Sequence, residues 1–139
     1  LTDGEKMLKT PTWHAFNLYK EHQDAELVES SVETKQIGLE EDAQIPDLSE
    51  SVSLGRDGKL HVTLTNASLT DDIPVEAIVA ETPVKAAKGR ILTGSMRAHN
   101  TFDRPDDVHT TEFTGLTVQD NKVLFTIPAC SVLALEIEL

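Results

Sequence analysis

The spacing of apolar positions changes once along the chain, from helical to alternating. Near the N-terminus, Trp13, Ala15, Phe16 and Tyr19 fall toward one side at helical spacing, with Leu18 beside them, while Lys20, Glu21 and Asp24 lie toward the polar side or the frayed end. The pair Thr10-Pro11 supplies a start signal. Threonine caps the free N–H groups, and proline costs nothing at the first helical position, where its missing donor has no bond to make. The pattern predicts one helix over residues 11–23. Three of the six aromatic residues sit on it, so its apolar face is expected to be buried against a neighbour.

After Asp24 the period becomes two. Residues 27–32 read as a strand, and the acidic stretch Glu40-Glu41-Asp42 reads as a loop. Residues 49–54 and 59–66 read as a hairpin around Arg56-Asp57-Gly58, where Asp-Gly favours the positive φ angles of a tight primed turn. In its second arm Leu60, Val62 and Leu64 are predicted to point inward, with Lys59, His61, Thr63 and Thr65 outward. Residues 75–80 and 90–96 are further strands. Residues 100–109, with Asp103, Pro105, Asp106 and Asp107, are too polar and too kinked for either element. Leu116 and Val118 lead to a turn at Asp120-Asn121, and Val123, Phe125 and Ile127 alternate on the return. Pro128 breaks that strand. Leu133, Leu135, Ile137 and Leu139 then alternate with Ala134, Glu136 and Glu138, the mark of a half-buried final strand. About seven short strands with turn signals between them predict a mainly β fold: an antiparallel β-sandwich, jelly-roll-like, with one N-terminal helix.

Composition narrows the partners. The 139 residues suffice for one domain with its own core. With 24 acidic and 12 basic residues the net charge is −12, which repels phosphate backbones and anionic lipid surfaces. Nucleic-acid and membrane partners are therefore not expected, whereas neutral partners such as sugars are permitted. No apolar run approaches the ~20 residues of a membrane span. The lone Cys130 cannot form an internal disulfide or a thiolate metal cluster, and reads as a small buried residue. The opening Leu1-Thr2-Asp3-Gly4, without an initiator methionine, reads as the continuation of a longer polypeptide.

Candidate chemistry is sparse. The chain has no glycine-rich phosphate loop, no His-Glu-x-x-His and no Gly-x-Ser-x-Gly. His14 and His22 are eight residues apart, too far for a metal pair on adjacent helical turns, and His61, His99 and His109 read as surface residues. The doublets Asp71-Asp72 and Asp106-Asp107 lack the further oxygen ligands of a calcium loop. Asn66-Ala67-Ser68 matches a glycosylation acceptor. No catalytic residue, cofactor-binding residue or metal ligand is assigned, and no cofactor is expected.

Three segments carry a resemblance to a known family. Pro11-Thr12-Trp13-His14-Ala15-Phe16-Asn17-Leu18-Tyr19-Lys20 with His22-Gln23 resembles the last barrel helix of glycoside hydrolase family 51 α-L-arabinofuranosidases. Gly89-Arg90-Ile91-Leu92-Thr93, followed by Ala98-His99-Asn100-Thr101-Phe102-Asp103 and Pro105, is similar to that family's C-terminal sandwich domain. So is the ending, with Ile127-Pro128-Ala129 and Ser131-Val132. The resemblance implies that residues 1–24 close a catalytic barrel and residues 25–139 form a C-terminal β-sandwich. It implies a parent hydrolase that releases terminal α-L-arabinofuranosyl groups from arabinan, arabinoxylan or their oligosaccharides with retention. In such enzymes two glutamates at the ends of strands in a (β/α)8 barrel act as acid/base and nucleophile. No position here matches either motif, so this chain alone is expected to be inactive. Its expected partners are the missing barrel of the same polypeptide, the parent's arabinose-containing substrate and, through the exposed helix, a second copy of the chain. Localisation stays open. Two other readings fit the residues: a stand-alone carbohydrate-binding module and a protein-interaction sandwich. Phe102 reads as a loop anchor rather than a sugar-stacking platform.

Overall fold

A short hairpin opens the chain in the computed structural model, which describes residues 1–139, the side chain of Glu41 excepted. Its strands are β1 (Thr2–Asp3) and β2 (Lys6–Met7), and helix α1 (Pro11–Tyr19) follows. The Thr10 hydroxyl accepts a hydrogen bond from the Trp13 N–H at 3.2 Å, and Pro11 takes the first turn, as the sequence predicts. A 3-10 turn, Lys20–His22, extends the helix. Next come β3 (Glu26–Leu27), β4 (Gln36–Ile37) and β5 (Ile45–Pro46), then the hairpin arms β6 (Leu48–Leu54) and β7 (Leu60–Asn66). The remainder is β8 (Ile73–Ile78), β9 (Ala86–Thr93), β10 (Thr111–Phe113), β11 (Thr117–Gln119), β12 (Lys122–Ile127) and β13 (Ser131–Glu138).

Two antiparallel sheets make the sandwich: a six-stranded one in the order β10-β9-β13-β7-β6-β3 and a three-stranded one in the order β11-β12-β8. The C-terminal strand β13 lies in the centre of the larger sheet, pairing Leu133 with both Leu64 and Ile91. Period-two alternation sends Leu133, Leu135 and Ile137 inward, and these are 0–2% exposed. They meet Leu60, Val62, Leu64 and Ile91 of the same sheet, and Val123, Phe125 and Ile127 of β12 opposite. Gly89 is needed at its place on β9. A Cβ there would stand 3.1 Å from Phe113 Cβ and 3.2 Å from Leu135 Cδ2, so the two neighbouring side chains close over the strand.

Several elements differ from the sequence reading. Of residues 27–32 only Glu26–Leu27 joins the ladder, at the sheet edge. Val28 and Val32 still pack on the core, while Leu27 projects into solvent. β9 starts earlier than residue 90, because β13 continues to pair with it as far as Ala86 opposite Glu138. The loop between β6 and β7 is not a two-residue primed turn. Only Gly58 has positive φ, 77°, and the turn closes through Gly55 N–H to Lys59 C=O at 2.9 Å. Cys130 is half-buried rather than buried, in the left-handed region at φ 50°. Asn66 is 1% exposed. Its amide donates to the carbonyls of Asp71, Ile127 and Pro128 and accepts from Ser68 N–H, so the folded chain withholds it from glycosylation. No helix among the described residues is long and apolar enough to cross a membrane.

Candidate functional site

The outer face of the larger sheet is where this fold departs from a plain sandwich. The sequence continues Val132-Leu133-Ala134-Leu135 without a polar interruption, so β13 is apolar on both faces there. On the outer side Val132 and Ala134 join Leu92 of β9 and Val108 of the following loop, and Leu18 of α1 closes this second cluster at 3% exposure. The helix therefore sits on the sandwich through Leu18, Ala15, His14 and His22. This differs from the expected burial of the aromatic side: Trp13, Phe16 and Tyr19 are 44, 74 and 37% exposed. Lys9 Nζ stands 4.4 Å over the Trp13 ring, a cation–π contact at the solvent edge.

Polar groups pin the seam. Asn100 is its main clasp: its amide donates to the carbonyls of Lys9 at 2.9 Å and Val108 at 2.7 Å, and its oxygen accepts from Val108 N–H at 2.6 Å. One buried side chain thus shapes the 100–109 loop and ties it to the segment entering the helix. At the other end His22 hydrogen-bonds Ser53 Oγ through Nδ1 at 2.7 Å and Thr63 Oγ1 through Nε2 at 2.8 Å. Tyr19 Oη meets Thr65 Oγ1 at 3.2 Å. His61 and Thr63, read as outward-facing, do leave the inner core, but the turn after the helix covers them, and both are buried. Burial is the main cause holding the His14 and His22 imidazoles below the ordinary histidine value. Nearby Lys9 adds to the effect at His14, and His61 at His22.

Beside the helix a groove of about 480 Å³ runs over the same sheet face, lined among others by Asn17, Glu21, Lys88, Arg90, Glu112 and Glu136. Glu136 is engaged there by Lys59 Nζ at 2.6 Å, a contact that raises the lysine above its ordinary value. The acidic doublets are spent on loop structure. Asp72 accepts from Ala129 N–H, Asp71 accepts from the Thr70 hydroxyl, and Asp107 pairs with Arg104. Phe102 is half-buried, as a loop anchor is, and Phe113 packs edge-on against Phe125. Among the described residues no group of three or more His, Cys, Asp or Glu could hold a metal ion. The sequence reading missed the roles of Asn100 and His22. The continuous apolar run at 132–135 was the available signal that something covers the outer face.

Comparison with known proteins places this geometry. Residues 1–131 match the family described as the α-L-arabinofuranosidase C-terminal domain. The intracellular exo-α-L-arabinofuranosidase of Bacteroides ovatus is 28% identical over 139 residues, covering 99% of this chain and 27% of that protein. The structure of the glycoside hydrolase family 51 arabinofuranosidase from Xanthomonas axonopodis pv. citri superposes with a TM-score of 0.93 at 35% identity, over 99% of this chain and 28% of that one. The Thermotoga maritima α-L-arabinofuranosidase, solved with arabinose, gives 0.84 at 27% identity, over 99% and 31%. The chain thus spans under a third of each relative, and the mainly β antiparallel fold read from the sequence is theirs as well. With residues 1–131 matched, from the opening hairpin and helix up to the start of β13, the chain belongs to the C-terminal domain family of glycoside hydrolase family 51 α-L-arabinofuranosidases.

Proposed function

We propose that this chain is the non-catalytic accessory sandwich of a larger retaining α-L-arabinofuranosidase. That parent releases terminal arabinofuranosyl groups from arabinan, arabinoxylan or their oligosaccharides. The observation that carries the reading is the two-sided helix. Its Leu18 side is sealed by the sandwich, and its Trp13 and Phe16 side is left to solvent, although large aromatics usually gain on the order of 1.5–3 kcal/mol each from burial. In this reading residues 1–24 complete the catalytic barrel, residues 25–139 form the sandwich, and the helix is shared by both. The acid/base and nucleophile glutamates come from barrel strands outside this chain, and no residue here touches the sugar. Separated from the barrel, the same aromatic side pairs two copies of the chain. A carbohydrate-binding role is less well served: Phe113 and Phe125 pack against each other, Phe102 is half-buried, and Trp13 and Phe16 stand on a convex helix rather than in a groove.

The test compares the purified chain with its full-length gene product on a chromogenic α-L-arabinofuranoside. Turnover by the full-length protein and none by the chain is the expected result. Turnover by the chain above the buffer blank, or none by the full-length protein, would refute the reading. Sedimentation of the chain with and without Trp13→Ser and Phe16→Ser tests the pairing, which requires a shift toward monomer in the variant.

A further inference from the structure

The helix is anchored to the sandwich by a histidine near each end, and neither residue is used in the reading above. His14, in the first half of α1, is 7% exposed, and both of its ring nitrogens are shut from solvent without a hydrogen-bond partner among the described residues. A neutral imidazole in such a place leaves one donor and one acceptor unmet. An imidazolium leaves two donors and a charge, which is far more costly. His22, just beyond the helix, is wedged between the Ser53 and Thr63 hydroxyls, each of which can turn to donate or accept. A neutral ring satisfies both, and so does an imidazolium donating to the two hydroxyl oxygens, so His22 anchors the seam in either state.

The charged groups around the two rings point the same way. His14 is faced by Lys9 from the segment entering the helix, Arg90 from β9, and His109 and Asp106 from the loop over the seam. Only Asp106 favours a positive ring. His22 is faced by His61 of β7 and by Glu21 of its own turn, and His61 is itself held by Asp57 at 3.2 Å.

We propose that His14 makes the helix–sandwich seam an acid-released clamp, closed while its ring is neutral and opened when it takes up a proton. The sandwich beneath it stays folded. Both imidazoles are held below the ordinary histidine value of 6.5 when the helix is docked. The sign follows: docking is fully favoured above that pH and weakens as pH falls through 6.5 toward the docked values. The undocked state gains at most about tenfold one pH unit below 6.5, the limit reached by one ring that stays neutral when docked.

Hydrogen exchange on the 139-residue chain reads this directly, by comparing amides of residues 11–22 with those of β7, β12 and β13. Between about pH 7.5 and about pH 5.5, after correction for intrinsic exchange, the helix opening constant should rise toward about tenfold, while the strands change by less than about twofold. In a His14→Phe variant the helix opening constant should become independent of pH. An unchanged constant in the parent chain, or an equal rise in the variant, would overturn the clamp. If the variant fails to dock its helix at neutral pH, titration of the two imidazoles by proton NMR in the unmodified chain decides. A His14 midpoint below 6.5 supports the clamp, and one at or above it overturns it.

Discussion

The two faces of the larger sheet are built from the same strands and held by different physics. Its inner face is a continuous apolar layer in which Leu133 and Ile137 of β13 meet Val123 and Ile127 across the sandwich. Its outer face carries only a small apolar patch, Leu92, Val132 and Ala134, under Leu18 and Val108, surrounded by His14, His22, Ser53, Thr63 and Asn100. The inner layer depends on area removed from water and is indifferent to pH. The outer seam also holds buried polar groups, some bonded, as Asn100 is, and some without a partner, as the His14 ring nitrogens are, so a change in protonation or the loss of one amide reaches it. This is the difference between a core and a docking surface.

That comparison can be broken at its strongest point first. Leu133→Ala, at a fully buried site, should cost about 2–5 kcal/mol in denaturant melts and destabilise the whole sandwich. A loss under about 1 kcal/mol would mean that the inner layer is not the core. Asn100→Ala should cost about 2–3 kcal/mol, because it strands the Val108 N–H and two carbonyls. Its exchange signature should be concentrated in residues 100–109 and the helix, whereas Leu133→Ala should expose all strands alike. Leu18→Ala should cost about 2 kcal/mol and loosen the helix while the strands keep their protection; uniform loss of protection would merge seam and core into one cooperative unit. Glu136→Ala should stay within about 1 kcal/mol, since its partner Lys59 leaves the pair partly open to solvent. The smallest effect is expected from Trp13→Ser with Phe16→Ser in the isolated chain diluted to monomer, within about 1 kcal/mol for side chains that project outward. The same pair in the full-length protein should cost about 3 kcal/mol or more if a second domain covers them, and equal melts in both contexts would remove the shared-helix reading.

Much of this was legible in the residues. Strict alternation in β7, β12 and β13 announces their inward sets, and Thr10-Pro11 announces the helix start, because backbone geometry alone fixes which side chains share a face. The edge strands were less legible. In residues 27–32 the pattern shows which side chains turn inward, but not that pairing stops after Leu27. The seam was least legible, since Asn100 and Lys9 are 91 residues apart and His22 and Thr63 are 41 apart. Nothing local in the sequence links such pairs.

The sequence by itself therefore determined the class of fold, the inner faces of its central strands, the start of its helix and the family it belongs to. All of these follow from short-range periodicity or contiguous motifs. Only the tertiary structure decided which side of the helix the sandwich takes, leaving Trp13 and Phe16 outside, and which polar residues lock it there. The physical reason is that an amphipathic helix with apolar groups on more than one side has no preferred neighbour of its own. The choice is made by the apolar patch and the hydroxyl and amide partners that distant strands bring together on the sheet's outer face.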